Sequence, residues 1–108
     1  MNTFRVNKVG KSELSVTNLG FGGGTIGSPN VDNATSIETV HSAWDSGVRF
    51  YDTAPWYGLG RSERRLGLSL SGKGDRDAYQ INTKVGKTLI PEPHRLETNQ
   101  TLSPGGEV

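Results

Sequence analysis

Three side chains in this sequence have the types and the spacing of a proton-transfer site. Asp52 ends the apolar run VRFY, Tyr57 follows on a loop rich in proline and glycine, and Lys84 follows the run YQINT. An ammonium beside a carboxylate stays charged, and an ammonium lowers the pKa of a neighbouring phenol from its usual ~10. Such a phenol can give a proton to a developing alkoxide, which is general acid catalysis.

This chemistry suits the reduction of a carbonyl group, because the lysine charge also stabilises the alkoxide. No amino-acid side chain donates hydride, so the three residues imply a nicotinamide cofactor. Each residue has an ordinary explanation too. The aspartate suits a turn, the tyrosine ring can pack on a helix, and a lysine after a strand is usually solvated. Convergence of all three at one place would weaken these explanations together.

The strands predicted from the sequence would produce this convergence. FRVNK and ELSV alternate apolar and polar residues and predict a β-hairpin over residues 3–18. Three further strands are expected: a short buried one from Leu19 to Gly22, VRFY covered on both faces, and YQINTKVG with Ile81 and Val85 inward. The carboxyl ends of parallel strands meet at one edge of a sheet. Asp52 and Lys84 lie 32 residues apart, which is close to the ~30 residues of one βα repeat.

Two helices are predicted between these strands. The first carries an apolar stripe of Ile37, Val40, Ala43 and Trp44, with Asp32 or Asn33 as its N-cap and Gly47 after its end. The second is expected to have Ser62 as its N-cap and to carry Leu66 and Leu68 to Leu70 on one side. Strands that alternate with helices predict an α/β fold with parallel pairing and right-handed crossovers. His41 lies inside the first helix without a metal-ligand partner one turn on, so we expect it on a helix face.

The glycine run GFGGG does not fit a Rossmann phosphate loop. It lacks the third glycine, and about eight residues separate it from the next helix, whereas the fingerprint needs that helix to open at once. The bare backbone of Gly22 to Gly24 would suit a flat cofactor ring lying against it. A tight turn explains the same glycines equally well.

Composition narrows the class of protein. The 108 residues contain no cysteine, which excludes disulfides and thiolate metal sites, and the net charge is +1. This balance favours neither nucleic acid nor an anionic membrane as a partner. The start of the chain has no signal-peptide pattern and no run of apolar residues approaches a membrane span, so we expect a cytoplasmic protein.

Three segments together give a family resemblance: LGFGGGTIG, GVRFYDTAPWYGLGRSERRLG and INTKVG. They resemble the N-terminal part of aldo-keto reductases, and the opening hairpin is similar to the one that closes the floor of that family's barrel. The branch with D-threo-aldose (L-fucose) dehydrogenases and pyridoxal 4-dehydrogenases is the most similar. The resemblance implies a (β/α)8 barrel that binds NADP or NAD and acts on small carbonyl compounds or sugars.

By the same resemblance, Tyr57, Lys84 and Asp52 match three of the family's four catalytic residues. Tyr57 would be the proton donor, Lys84 its partner and Asp52 the residue that holds Lys84. Gly22, Gly23 and Gly24, together with Asp52, match positions beside the nicotinamide ring and the substrate.

The resemblance also shows what is missing. The fourth catalytic residue is a histidine that ends the next strand, and neither His41 nor His94 follows an apolar strand. A (β/α)8 barrel takes about 250 residues. We therefore expect an incomplete barrel, with the hairpin at 3–18, βαβαβ units at 19–86 and a polar irregular tail at 87–108, inactive when isolated. The alternative is a non-catalytic remnant that associates with a partner chain. The oligomeric state stays open.

Overall fold

The computed structural model describes residues 4–91. These residues form an antiparallel hairpin and a three-stranded parallel sheet against which two helices pack. The strands are β1 (Val6–Lys8), β2 (Ser15–Thr17), β3 (Phe21–Gly22), β4 (Phe50–Asp52) and β5 (Gln80–Asn82), and the helices are α1 (Asn33–Asp45) and α2 (Arg61–Leu70). Neither helix in this part of the chain combines the length and the apolar character needed to cross a bilayer.

The parallel sheet has β4 at its centre, between β3 and β5. Its register aligns Gly22 with Asp52, and Asp52 with Asn82. Helix α1 connects β3 to β4 and α2 connects β4 to β5, which confirms the predicted α/β order. The predicted hairpin also forms, with Val6 opposite Thr17. Parallel pairing brings the carboxyl ends of β3, β4 and β5 to one edge, and Asp52 lies at that edge.

Tyr51 is the centre of the core between the sheet and the helices. Its side chain is fully buried, and its ring meets that of Tyr79 edge-on at 6.5 Å between centroids. The fully buried apolar side chains that the helices contribute to this core are Val40, Leu66 and Leu70. The Tyr51 hydroxyl donates a hydrogen bond of 2.7 Å to the Val48 carbonyl. This packing fixes β4 against both helices and thereby fixes the next residue, Asp52.

Burial of Tyr51 gives a prediction for alkaline stability. Burial raises the pKa of Tyr51 to about 12, although the charge of the nearby Arg49 lowers it. An unfolded tyrosine loses its proton at about pH 10. The resulting stabilisation is complete below pH ~10 and is lost as the pH rises through the folded pKa. We expect a loss of about 2–3 kcal/mol in the free energy of unfolding across that window.

Urea unfolding of the wild type and of Tyr51→Phe, measured from about pH 7 to about pH 11.5, checks this. Near neutral pH the variant is expected to be less stable by about 1 kcal/mol, because it loses the hydrogen bond to Val48. Above pH ~10 its stability relative to the wild type must rise, since it has no hydroxyl to titrate. A difference that does not depend on pH would contradict the assignment.

The ends of α1 follow the sequence prediction. The Asp32 carboxylate accepts a hydrogen bond of 2.7 Å from the Thr35 amide, which is N-cap geometry. Gly47 follows the helix with a φ of 104°, the left-handed conformation that glycine adopts without strain. Val40 is fully buried on the predicted stripe. His41 lies on a helix face, where its Nε2 is 2.8 Å from the Ser69 carbonyl of α2.

Two expectations for α2 are wrong. Gly60 is its N-cap, so Ser62 lies within the first turn and is fully buried. The Ser62 hydroxyl does not cap the helix but donates a hydrogen bond of 2.7 Å to the Gly23 carbonyl. Leu68 is 55% exposed, because α2 turns the buried face of Leu66 and Leu70 inward and leaves the intervening leucine in solvent.

Two expectations for the strands are also wrong. Leu19 is half exposed because β3 begins only at Phe21. Strand β5 ends at Asn82, so the inward and outward alternation does not reach Val85, which is 97% exposed. Residues 87–91 of the predicted tail form no regular structure, and His94 lies outside the described residues.

Candidate active site

An ion pair between Lys84 and Asp52 lies at the carboxyl edge of the sheet. Lys84 Nζ is 3.1 Å from Asp52 Oδ2 and 3.2 Å from Oδ1, and it donates a further hydrogen bond of 2.9 Å to the Thr53 carbonyl. Because β5 ends two residues before Lys84, the lysine is not held by strand pairing. Its position depends on these three acceptors, and two of them belong to Asp52.

Asn82 also binds the Asp52 carboxylate, and sequence reasoning missed it. Its Nδ2 donates to Asp52 Oδ1, the oxygen that Lys84 also contacts. The parallel register sets Asn82 directly beside Asp52 on the neighbouring strand. The signal in the sequence was the asparagine two positions before the lysine, because those two residues point to the same side of a strand.

The surroundings of Lys84 favour its charged form. Partial burial lowers its pKa, but hydrogen bonds with Asp52 and Tyr57 and the charges of both groups outweigh this, so the pKa is raised above its ordinary value. Lys84 is therefore a stable cation at neutral pH.

The loop after β4 brings Tyr57 to this cation. Lys84 Nζ lies 4.9 Å from the centroid of the Tyr57 ring. The loop folds back through hydrogen bonds from the Tyr57 amide to the Ala54 carbonyl and from the Gly60 amide to the Pro55 carbonyl. It then continues through consecutive residues with positive φ over 58–60, of which Leu59 is the one non-glycine in residues 4–91 with positive φ. The structure therefore brings Asp52, Tyr57 and Lys84 together.

A cavity of about 300 Å³ opens beside these groups. Tyr57 and Lys84 both line it, and its other walls come from Ala54, Pro55, Trp56, Val85 and Lys87. A small molecule held there would touch a phenol, an ammonium and an aromatic wall. Gly22, Gly23 and Gly24 do not line this cavity, and they differ from one another in their surroundings.

Gly22 and Gly24 are exposed, and a Cβ added to either would meet nothing within 4 Å. Gly23 is buried, and its Cβ would lie 2.5 Å from the Asp52 carbonyl oxygen. The Gly23 amide donates to that same carbonyl at 2.7 Å. Gly23 therefore fixes the glycine segment to β4. Gly22, the register partner of Asp52, and Gly24 both leave exposed backbone.

Comparison with known proteins assigns the family. The sequence pattern of the Aldo/keto reductase family matches residues 18–103. The chain is 44% identical over 86 residues to the D-threo-aldose 1-dehydrogenase of a Pseudomonas species, covering 76% of this chain and 25% of that protein. It is 38% identical over 98 residues to the pyridoxal 4-dehydrogenase of Microbacterium luteolum, covering 89% of this chain and 27% of that protein.

Solved structures agree with the sequence comparisons. A holo-form aldo-keto reductase from Bacillus halodurans superposes with a TM-score of 0.73 at 28% identity, over 82% of this chain and 28% of that chain. The chain thus spans about a quarter of the length of the proteins that it matches. Its parallel strands and helices correspond to part of a (β/α)8 barrel, as predicted. The chain belongs to the aldo/keto reductase family.

Proposed function

We propose that this chain supplies the proton-transfer part of the active site of an NAD(P)-dependent oxidoreductase. The observation that carries this proposal is the position of Lys84 Nζ, bound to both oxygens of Asp52 and 4.9 Å from the Tyr57 ring. A raised lysine pKa beside a cavity-lining tyrosine is the arrangement that a tyrosine acid requires.

Each of the three residues has a distinct role in the proposal. Tyr57 gives a proton to the substrate oxygen during carbonyl reduction and takes it back when an alcohol or a sugar hydroxyl is oxidised. Lys84 stabilises the negative charge that develops on that oxygen or on the phenol. Asp52 holds Lys84 in place and compensates its charge, and Asn82 orients the Asp52 carboxylate through a neutral hydrogen bond.

The exposed glycines fit the flat face of a nicotinamide. Gly22 and Gly24 present backbone with open space where side chains would stand, and Gly22 is the register partner of Asp52. Bound NADP or NAD would supply the hydride acceptor or donor. The nicotinamide ring would lie against Gly22, Gly24 and Asp52. Gly23 would hold this segment in place through its hydrogen bond to the Asp52 carbonyl.

Aldoses and small aldehydes are the proposed substrates. The matched relatives are named for D-threo-aldose and for pyridoxal, both of which are small carbonyl compounds or their cyclic forms. The cavity is lined by Trp56, Pro55 and Ala54, and it has the size for a small molecule of this kind. Oxidation of a cyclic aldose would give a lactone, and reduction of an aldehyde would give an alcohol.

The rest of the barrel must complete the site. Residues 4–91 supply three parallel strands, whereas a (β/α)8 barrel closes with eight. Within those residues no histidine reaches the cavity, since His41 contacts Ser69 between the helices. We propose that the fourth catalytic residue comes from outside residues 4–91 and that residues 1–108 assayed alone show no turnover.

Isotope transfer tests the proposal in the enzyme that contains this chain. An aldose carrying deuterium at C1 is incubated with NADP or NAD, and the reduced nucleotide is analysed by mass spectrometry. We expect deuterium in the nucleotide and a lactone as the product. Absence of transfer with aldoses, together with absence of deuterium in the alcohol when aldehydes and labelled reduced nucleotide are supplied, would favour a non-catalytic chain instead.

A further inference from the structure

Three successive backbone carbonyls, those of residues 26–28, accept hydrogen bonds from arginines of α2. Arg65 Nη1 donates to the Ile26 carbonyl at 2.6 Å and to the Ser28 carbonyl at 3.0 Å. Arg61 Nη1 donates to the Gly27 carbonyl at 3.1 Å. The two arginines lie one helical turn apart, so they hold the same short segment from one face of the helix.

Arg61 makes a second contact that joins this segment to the tyrosine loop. The same Nη1 donates at 3.3 Å to the Gly58 carbonyl, one residue after Tyr57. The two backbones already touch there, since a Cβ on Gly27 would lie 2.6 Å from the Tyr57 carbonyl oxygen. One on Gly58 would lie 1.8 Å from the Gly27 carbonyl oxygen. Arg61 therefore bridges the two chain segments at the point where they pack most closely.

Arg61 lies at a position of α2 where helices generally disfavour a positive charge. It is the first residue of α2, where the partial positive charge of the helix dipole disfavours a cation. Among residues 4–91 no carboxylate forms an ion pair with it. Its charge is instead directed at two loop carbonyls, so the tertiary contact accounts for this arginine better than the helix does.

The loop that Arg61 contacts has a strained backbone. Residues 58–60 all have positive φ, and a leucine in that conformation is strained by about 1–2 kcal/mol. Strained backbone persists only where surrounding contacts determine it. Tyr57 precedes this stretch, so release of the loop would let the phenol move relative to Lys84.

We propose that Arg61 is a positioning residue for proton transfer by Tyr57. It acts through the backbone of residues 57–60, and it does not line the cavity that Tyr57 and Lys84 share. The proposal rests on the catalytic role of Tyr57 stated above. It deepens that role by naming what fixes the phenol at the required distance from the lysine.

The test compares Arg61→Ala, Arg61→Lys and Arg64→Ala in the enzyme that contains this chain. Arg64 is the matched control, an exposed arginine of the same helix with no side-chain hydrogen bond to residues 4–91. We expect Arg61→Ala to lower kcat about 10- to 100-fold with the KM for the nucleotide nearly unchanged, because a misplaced acid slows only the chemical step. Arg61→Lys should recover part of kcat, and Arg64→Ala should keep it.

Hydrogen exchange supplies a second readout that does not depend on turnover. In Arg61→Ala the amides of Tyr57 and Gly60 should exchange faster than in the wild type, while those of β4 keep their protection. Unchanged kcat, unchanged loop exchange, or a protection loss spread equally over β4 would each overturn the proposal. If Arg61→Ala does not fold, the same comparison is made with Arg61→Lys. Full activity of Tyr57→Phe would instead overturn the function on which the proposal rests.

Discussion

Tyr57→Phe is expected to lower kcat about 10²- to 10⁴-fold, the range that a positioned general acid contributes. The phenyl ring stays beside Lys84, and the change removes the hydroxyl, with its transferable proton and its hydrogen bond to Lys84. The KM for the nucleotide should be nearly unchanged, because the exposed glycines that are proposed to face the nicotinamide ring are not altered.

Tyr79→Phe is the matched control for this variant. It removes the same hydroxyl from a ring that packs on Tyr51 in the core and does not line the cavity. Steady-state kinetics of both variants, with aldose and nucleotide varied in turn, separate kcat from KM. A Tyr57→Phe enzyme that retains most of its kcat would remove Tyr57 from the mechanism.

Lys84→Met is expected to lower kcat about 10²-fold or more, because it removes the cation that faces both the phenol and the developing alkoxide. It also leaves Asn82 as the remaining side chain of residues 4–91 that hydrogen-bonds the Asp52 carboxylate. The Lys84 pKa is raised above the ordinary value for lysine. The wild type therefore loses this positive charge only at a pH higher than that at which an ordinary lysine titrates. The wild type should therefore keep the lysine contribution throughout neutral pH.

Lys73→Met is the control for charge loss, because Lys73 lies in the connection between α2 and β5 and does not line the cavity. Kinetics of the two variants across neutral pH measure the effect. Equal kcat in Lys84→Met and Lys73→Met would show that the ion pair at Asp52 is structural.

The sequence predicted the elements better than their edges. The repeat distance from Asp52 to Lys84 and the run VRFY were enough to place both residues at one edge of a parallel sheet. Val85 was misplaced because the alternation of apolar and polar residues continues along the sequence after the strand has ended at Asn82. Strand length depends on pairing partners that apolar periodicity does not encode.

The supporting contacts were the least predictable part of the site. Ser62 looked like a helix cap, yet its hydroxyl binds the Gly23 carbonyl, 39 residues away in sequence. Arg61 and Arg65 received no role from the sequence, and they hold backbone carbonyls 34 and 39 residues away. Such contacts form only when the fold brings distant segments together, so no local sequence pattern predicts them. Tyr57 and Lys84 were identifiable because their chemistry is visible in residue type and in a family resemblance.

The central claim is that Tyr57 and Lys84 act as one proton-transfer unit, and a double-mutant cycle tests it most directly. Kcat is measured for the wild type, Tyr57→Phe, Lys84→Met and the double variant in the enzyme that contains this chain. If the lysine acts in part through the tyrosine proton, the double variant should be clearly faster than the product of the two single losses predicts. Effects that multiply, so that the double variant is slower by the product of both losses, would show that the two residues act independently and would contradict the claim.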